Sequence, residues 1–118
     1  MEVTPALVSQ LINRLFTAEE CAAASVLLEA YGGPAHEKEP DRVRVAALKL
    51  CNGSLTKLEA LITHAKRDYR DILAWAEYPG EMRQATWRLP APEQSRIRAD
   101  DRAQYLAWLR ANGGEEKR

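Results

Sequence analysis

The sequence predicts an all-α fold: two consecutive antiparallel helical hairpins, as a small bundle or a minimal solenoid-like pair, followed by a C-terminal helical arm that folds back over them. Three observations carry this reading. Apolar residues recur at intervals of three and four along most of the chain. Hydroxyl and proline start signals precede these stretches, and glycine stop signals follow them. No stretch keeps the strict alternation of a half-buried strand.

Thr4-Pro5 supplies an N-cap and a first-turn proline, and Leu7, Val8, Leu11, Ile12 and Leu15 then follow helical spacing to Phe16. Thr17 with Glu20 forms a capping box that opens a second helix, expected to run to about Tyr31. Its Cys21, Ala22, Ala23, Ala24 and Ser25 are small enough for close approach of another helix. Gly32-Gly33-Pro34 stops it. Residues 35–40 read as a polar, solvated connector. Pro40 and Asp41 suit the first turn of a third helix. Val43, Val45, Ala46, Ala47, Leu48, Leu50 and Cys51 leave that helix little polar face, which predicts a central, buried position.

Asn52-Gly53 ends the third helix and Ser54 caps a fourth. Leu55, Leu58, Ile62, Ala65, Tyr69, Ile72 and Ala76 predict one uninterrupted helix of about six turns up to Tyr78-Pro79-Gly80. Residues 80–95 are less regular: a short helix over 81–86, then an extended stretch from Trp87 to Pro92, where two prolines disfavour helix. The last helix, between Glu93 and Ala111, is expected to bury Ile97, Tyr105, Trp108 and Leu109 and to end at Asn112-Gly113-Gly114.

The 118 residues suit one domain over 1–114, with a disordered tail at 115–118. A composition of 46% apolar and 29% charged residues is that of a globular chain. Two cysteines outside any CxxC spacing, no charged-then-apolar leader and no long apolar run predict a soluble cytoplasmic protein that needs no disulfide and no membrane. Net charge is zero, but residues 1–41 hold two basic and seven acidic groups, a balance of −5, which leaves +5 for the remainder. A neutral chain has no overall field to draw in nucleic acid.

Four residues of the predicted fourth helix, His64, Asp68, Asp71 and Trp75, fall on one stripe beside the apolar seam, with Lys57 on the same line. Imidazole and carboxylates are suitable metal ligands, but on one straight helix these three would span about 10 Å, too far for a single ion. His64 as a base oriented by Asp68 is a second reading, without a nucleophile, phosphate loop or nucleophile elbow to complete it. The third reading is a contact surface: Asp68, Asp71 and Trp75, flanked by Arg67 and Arg70, on a rigid helix. A purely structural account stands beside them, in which the C-terminal arm covers Trp75 and the carboxylates meet Arg67, Arg70 or a later arginine.

Trp75, Tyr78, Trp87, Tyr105 and Trp108 all lie in the last 44 residues, among Arg83, Arg88, Arg96, Arg98, Arg102 and Arg110. Arginine outnumbers lysine twelve to five over the chain. Such residues can stack on single-stranded nucleic acid, yet Glu93, Asp100 and Asp101 interrupt the basic run. The expectation is a secondary aromatic core, with the arginines paired to the acidic N-terminal helices.

The segments Ala65 to Pro79 (AKRDYRDILAWAEYP) and Asp41 to Leu50 with Asn52-Gly53 resemble stretches of small uncharacterised bacterial all-helical proteins. That resemblance covers about a third of the chain and implies a bacterial, cytoplasmic setting. It brings no assigned activity and no catalytic residue. The residues themselves favour a non-catalytic protein-interaction or self-association module, with a protein partner or a second copy, no cofactor and no catalytic or metal site. The alternative is a small enzyme or metal-binding protein using His64 with Asp68.

Overall fold

The computed structural model describes residues 3–84 and 86–113. It is all-helical, with no strand among the described residues. The elements are α1 (Pro5–Leu15), α2 (Ala18–Glu29), α3 (Pro40–Cys51), α4 (Leu55–Arg67), α5 (Tyr69–Glu77), α6 (Pro79–Gln84), a 3-10 turn (Thr86–Arg88) and α7 (Ala91–Gly113). The tail expected at 115–118 lies outside the described residues.

The start signals act as their chemistry predicts. Thr4 Oγ1 accepts the Leu7 N–H at 3.1 Å, and Pro5 opens α1. The Thr17–Glu20 box closes in both directions, at 3.3 and 3.2 Å. Asn52 ends α3 in the left-handed conformation, φ 52°. Helix α3 is central, with Val43, Val45, Ala46, Ala47, Leu48 and Cys51 buried and α1, α4 and α5 packed around it. Helix α2 packs on α1 and α4, and α7 returns along α1, α5 and α6. One core joins Leu7, Leu11, Leu28, Leu48, Leu58, Ile72, Tyr105 and Leu109. Fully burying a leucine contributes about 2 to 3 kcal/mol, so these side chains carry much of the stability.

Several expectations need correction. The helix predicted to run unbroken from Leu55 to Ala76 is interrupted at Asp68, where the backbone is extended (φ −155°, ψ 96°). Residues 86–88 form a 3-10 turn rather than extended chain, and α7 begins at Ala91, before Pro92. Gly113 is the last described residue of α7. It is a buried helical residue, and an added Cβ there would lie 2.6 Å from Leu7 Cδ1, so glycine allows α7 to approach α1 closely. Trp108 is only partly buried, stacked 6.3 Å from Tyr105.

A further correction concerns residues 35–40, which are not merely a solvated connector. His36 is exposed, but Glu37 is buried. Its Oε1 accepts the Gly32 N–H at 2.7 Å, and its Oε2 meets Lys66 Nζ at 3.0 Å. Lys66 also donates to Ala30 O, while Arg44 donates to Leu28 O and Tyr31 O. Helix α2 has no basic residue in its last turn. Cations from α3 and α4 therefore satisfy the carbonyls at its negative end.

Candidate functional site at the α4–α5 break

The break is built by Asp68. Its N–H still donates to His64 O at 2.9 Å, closing the last turn of α4. Its side chain then accepts the Arg70 N–H at 3.1 Å, opening α5 as an N-cap. Both Asp68 oxygens also take the Arg70 guanidinium, at 3.0 and 3.1 Å. These bonds hold the Asp68 carboxyl below the usual range and push the Arg70 guanidinium up.

On a straight helix, seven residues would separate His64 from Asp71 by about 10 Å along the axis. Across the break, His64 Nε2 lies 2.9 Å from Asp71 Oδ2. The Trp75 ring, one turn beyond Asp71, lies 5.0 Å from the His64 ring at an interplanar angle of 52°. Trp75 keeps 37% exposure, so it is not fully covered by its own chain. The His64 and Asp71 side chains are 34% and 47% exposed.

The proposed contact residues are thus divided. Asp71 and Trp75 converge on His64. Asp68 and Arg70 form a local pair beside them, as the structural account expected for Asp68, and Arg67 is exposed at the end of α4. The predicted partnership of His64 with Asp68 is corrected: Asp68 is occupied with the cap and with Arg70, and Asp71 takes its place. Among the described residues, no three His, Cys, Asp or Glu side chains gather as a ligand set.

Beneath this face, α5 is fixed to α3 by Glu77. Its carboxylate is buried and receives Arg42 in a bidentate fork, Nε at 2.8 Å and Nη2 at 2.6 Å. Glu77 and Glu39 together push the Arg42 guanidinium upward. Asp101, also buried, reaches from α7 to the start of α6, accepting the N–H groups of Gly80 at 2.8 Å and Glu81 at 3.0 Å. Sequence reasoning missed Glu37, Glu77 and Asp101. For Asp101 a signal existed: it stands in the four-residue ladder Ile97, Asp101, Tyr105, Leu109, whose other members are core.

A cleft between α1, α2 and α3, of about 140 Å³, is lined by Ser9, Ile12, Ser25, Glu29, Asp41 and Arg44 and is separate from His64. No described helix is long and apolar enough to cross a membrane. Comparison with protein-family models, curated proteins and solved structures finds no match.

Proposed function

We propose that the protein is a non-catalytic interaction module that binds a protein partner or a second copy through the α4–α5 face. One observation carries the reading: Trp75 stays 37% exposed although its ring is packed on His64, which Asp71 in turn holds. A partly exposed tryptophan with a fixed polar rim has the composition of an interaction hot spot. Packing on His64 also lowers the entropy lost when a partner orders it. Asp68, Arg70 and Arg67 add charge of both signs at the rim, suited to selecting a partner. The setting we assign is the reducing interior of a bacterial cell, from the two free cysteines and the resemblance over residues 41–79.

The hydrogen bond of His64 to Asp71 favours a second reading, a small enzyme with an imidazole base oriented by a carboxylate. Against it, that pair is half-exposed and separate from the α1–α2–α3 cleft.

A photo-crosslinking side chain in place of Trp75, compared with one at exposed Thr56, tests the interaction reading. The first should capture one discrete protein or a second copy, and Asp71→Arg should abolish that product while helical circular dichroism is unchanged. Equal products from both positions, or a product indifferent to Asp71→Arg, would remove this face as the contact surface.

A further inference from the structure

Four large apolar side chains stand out from the described surface: Val26 at 66% exposure, Trp75 at 37%, Met82 at 51% and Trp87 at 72%. Trp75 belongs to the face already described. The other three fall into two patches of opposite charge.

The first patch is the outer face of α2. This helix is apolar nearly all round, yet it buries only Ala24 and Leu28. Glu19, Ala22, Ala23, Val26 and Glu29 are all exposed, and their spacing puts them on one face. A helix apolar on every side ordinarily has neighbours on every side. Within α2 there is no basic residue, and neither Glu19 nor Glu29 is paired with a cation among the described residues.

The second patch is the end of α6 and the 3-10 turn, where Met82, Arg83, Trp87 and Arg88 are exposed. The Arg88 guanidinium lies 4.6 Å from the Trp87 ring centre. Neither Arg83 nor Arg88 meets a carboxylate among the described residues, whereas Arg98 nearby takes Glu81 at 2.9 Å. The sequence-based expectation that C-terminal arginines would pair with the acidic N-terminal helices within one molecule is thus not met by these two. The two patches sit on separate elements, α2 on α1 and α4, the 3-10 turn on α7.

We infer that the acidic, apolar face of α2 is the docking site for the patch of Met82, Arg83, Trp87 and Arg88 on a second copy of this chain. The charge complementarity names the occupant. A chain of zero net charge carries −5 in its first 41 residues and +5 in the rest, and each half presents its uncovered apolar residues inside its own charge. Val26 between Glu19 and Glu29 matches Trp87 between Arg83 and Arg88, with Met82 next to Arg83. Two different surfaces meet, so the interface is heterologous: copies add head to tail, into a ring if the rotation closes and a filament if it does not. Tryptophan and arginine anchor such contacts, and opposite charge sets their register. This inference does not rest on the Trp75 face.

Sedimentation velocity on the full chain, over a concentration series at low and high salt, is the test. The wild type should self-associate, with association weakened by salt. Glu19→Arg/Glu29→Arg should associate about tenfold or more weakly, and so should Arg83→Glu/Arg88→Glu. Mixed in equal amounts, the two variants present opposite charges at every contact between unlike copies and should associate again, in alternation. The variant carrying all four reversals should assemble again. All four positions are exposed, so each variant should keep its helical circular dichroism and a cooperative melt, which serve as the folding control. A wild type that stays monomeric, or a mixture of the two variants that does, would overturn the inference. Association lost in Trp75→Ala but kept in both charge variants would also overturn it, while leaving the α4–α5 reading in place.

Discussion

Asp71 follows His64 by seven residues, yet its carboxylate lies 2.9 Å from His64 Nε2, because the helix stops and restarts at Asp68 between them. The cluster of imidazole, carboxylate and indole exists only through that interruption. Asp68, first read as a member of the functional stripe, is better described as the residue that bends it.

Asp68→Ala should therefore lower the melting temperature and loosen the His64–Asp71 contact, since α5 loses the acceptor for the Arg70 N–H. Asp68→Asn should retain most of the stability, because asparagine caps about as well, while losing the charged fork with Arg70. Thermal melts rank the three proteins, and the His64 imidazole nitrogen shifts in NMR spectra report the contact. Equal melting of Asp68→Ala and wild type would show that the break does not depend on the cap.

Removing one side of the buried Arg42–Glu77 fork should cost more than removing both. Glu77→Leu leaves a guanidinium that has lost two short bonds and keeps only its exposed contact with Glu39. The Arg42 side chain keeps 38% exposure, so water takes up part of its charge. The expected loss is about 2 kcal/mol, below the cost typical of a fully buried pair. Glu77→Leu/Arg42→Met should recover part of it. Denaturant unfolding of the two single variants and the double variant measures the difference, and additive losses would count against the pair as a unit.

Stability should fall at both ends of the pH scale, for two neighbouring reasons. The Gly32 N–H and the Lys66 ammonium hold the Glu37 carboxyl below its ordinary 4.5. The unfolded chain takes up that proton first on acidification, so the contribution is present above the unfolded value and lost as pH falls through the folded one. Burial first, and then the charge of Glu37, pushes the Tyr31 phenol from 10.0 up to about 12. Here the unfolded chain releases its proton first, so stability is lost as pH rises across that interval. Urea unfolding across pH should show a flatter acid limb in Glu37→Gln and a flatter alkaline limb in Tyr31→Phe. Unchanged slopes would assign the pH dependence to other groups.

Gly80 and Asp101 should behave as one contact. The Asp101 carboxylate takes two N–H groups at the start of α6, and a Cβ at Gly80 would lie 2.6 Å from Asp101 Oδ1. Gly80→Ala forces the helices apart, at about 1 to 3 kcal/mol. Asp101→Ala leaves the two N–H groups unpaired, at a similar cost of about 1 to 3 kcal/mol. Combined, they should lose less than the sum, since the smaller side chain makes room for the new methyl. Chemical denaturation of the three variants reads this directly, and full additivity would show that the two positions act separately.

The all-α class, the caps at Thr4 and Thr17, the proline starts, the Asn52 stop and the central burial of α3 were all legible in the sequence. Each depends on residues within a turn or two of one another, and short-range chemistry is what a sequence displays. The stripe of His64, Asp71 and Trp75 was legible too, as a set, but not as a contact. A period of three and four reads the same across a straight helix and across a break where one residue serves both as end and as cap. What only the tertiary structure decided are the long-range partners: Glu37 with Lys66, Glu77 with Arg42, Asp101 with the start of α6, and Gly113 against Leu7. A buried carboxylate must find its donors wherever the packed helices bring them, and those donors stand 20 to 35 residues away for Glu77 and Asp101. The sequence by itself determined which segments are helices and which faces are apolar. The packing of those helices decided which charges are used inside the molecule and which remain on its surface for another.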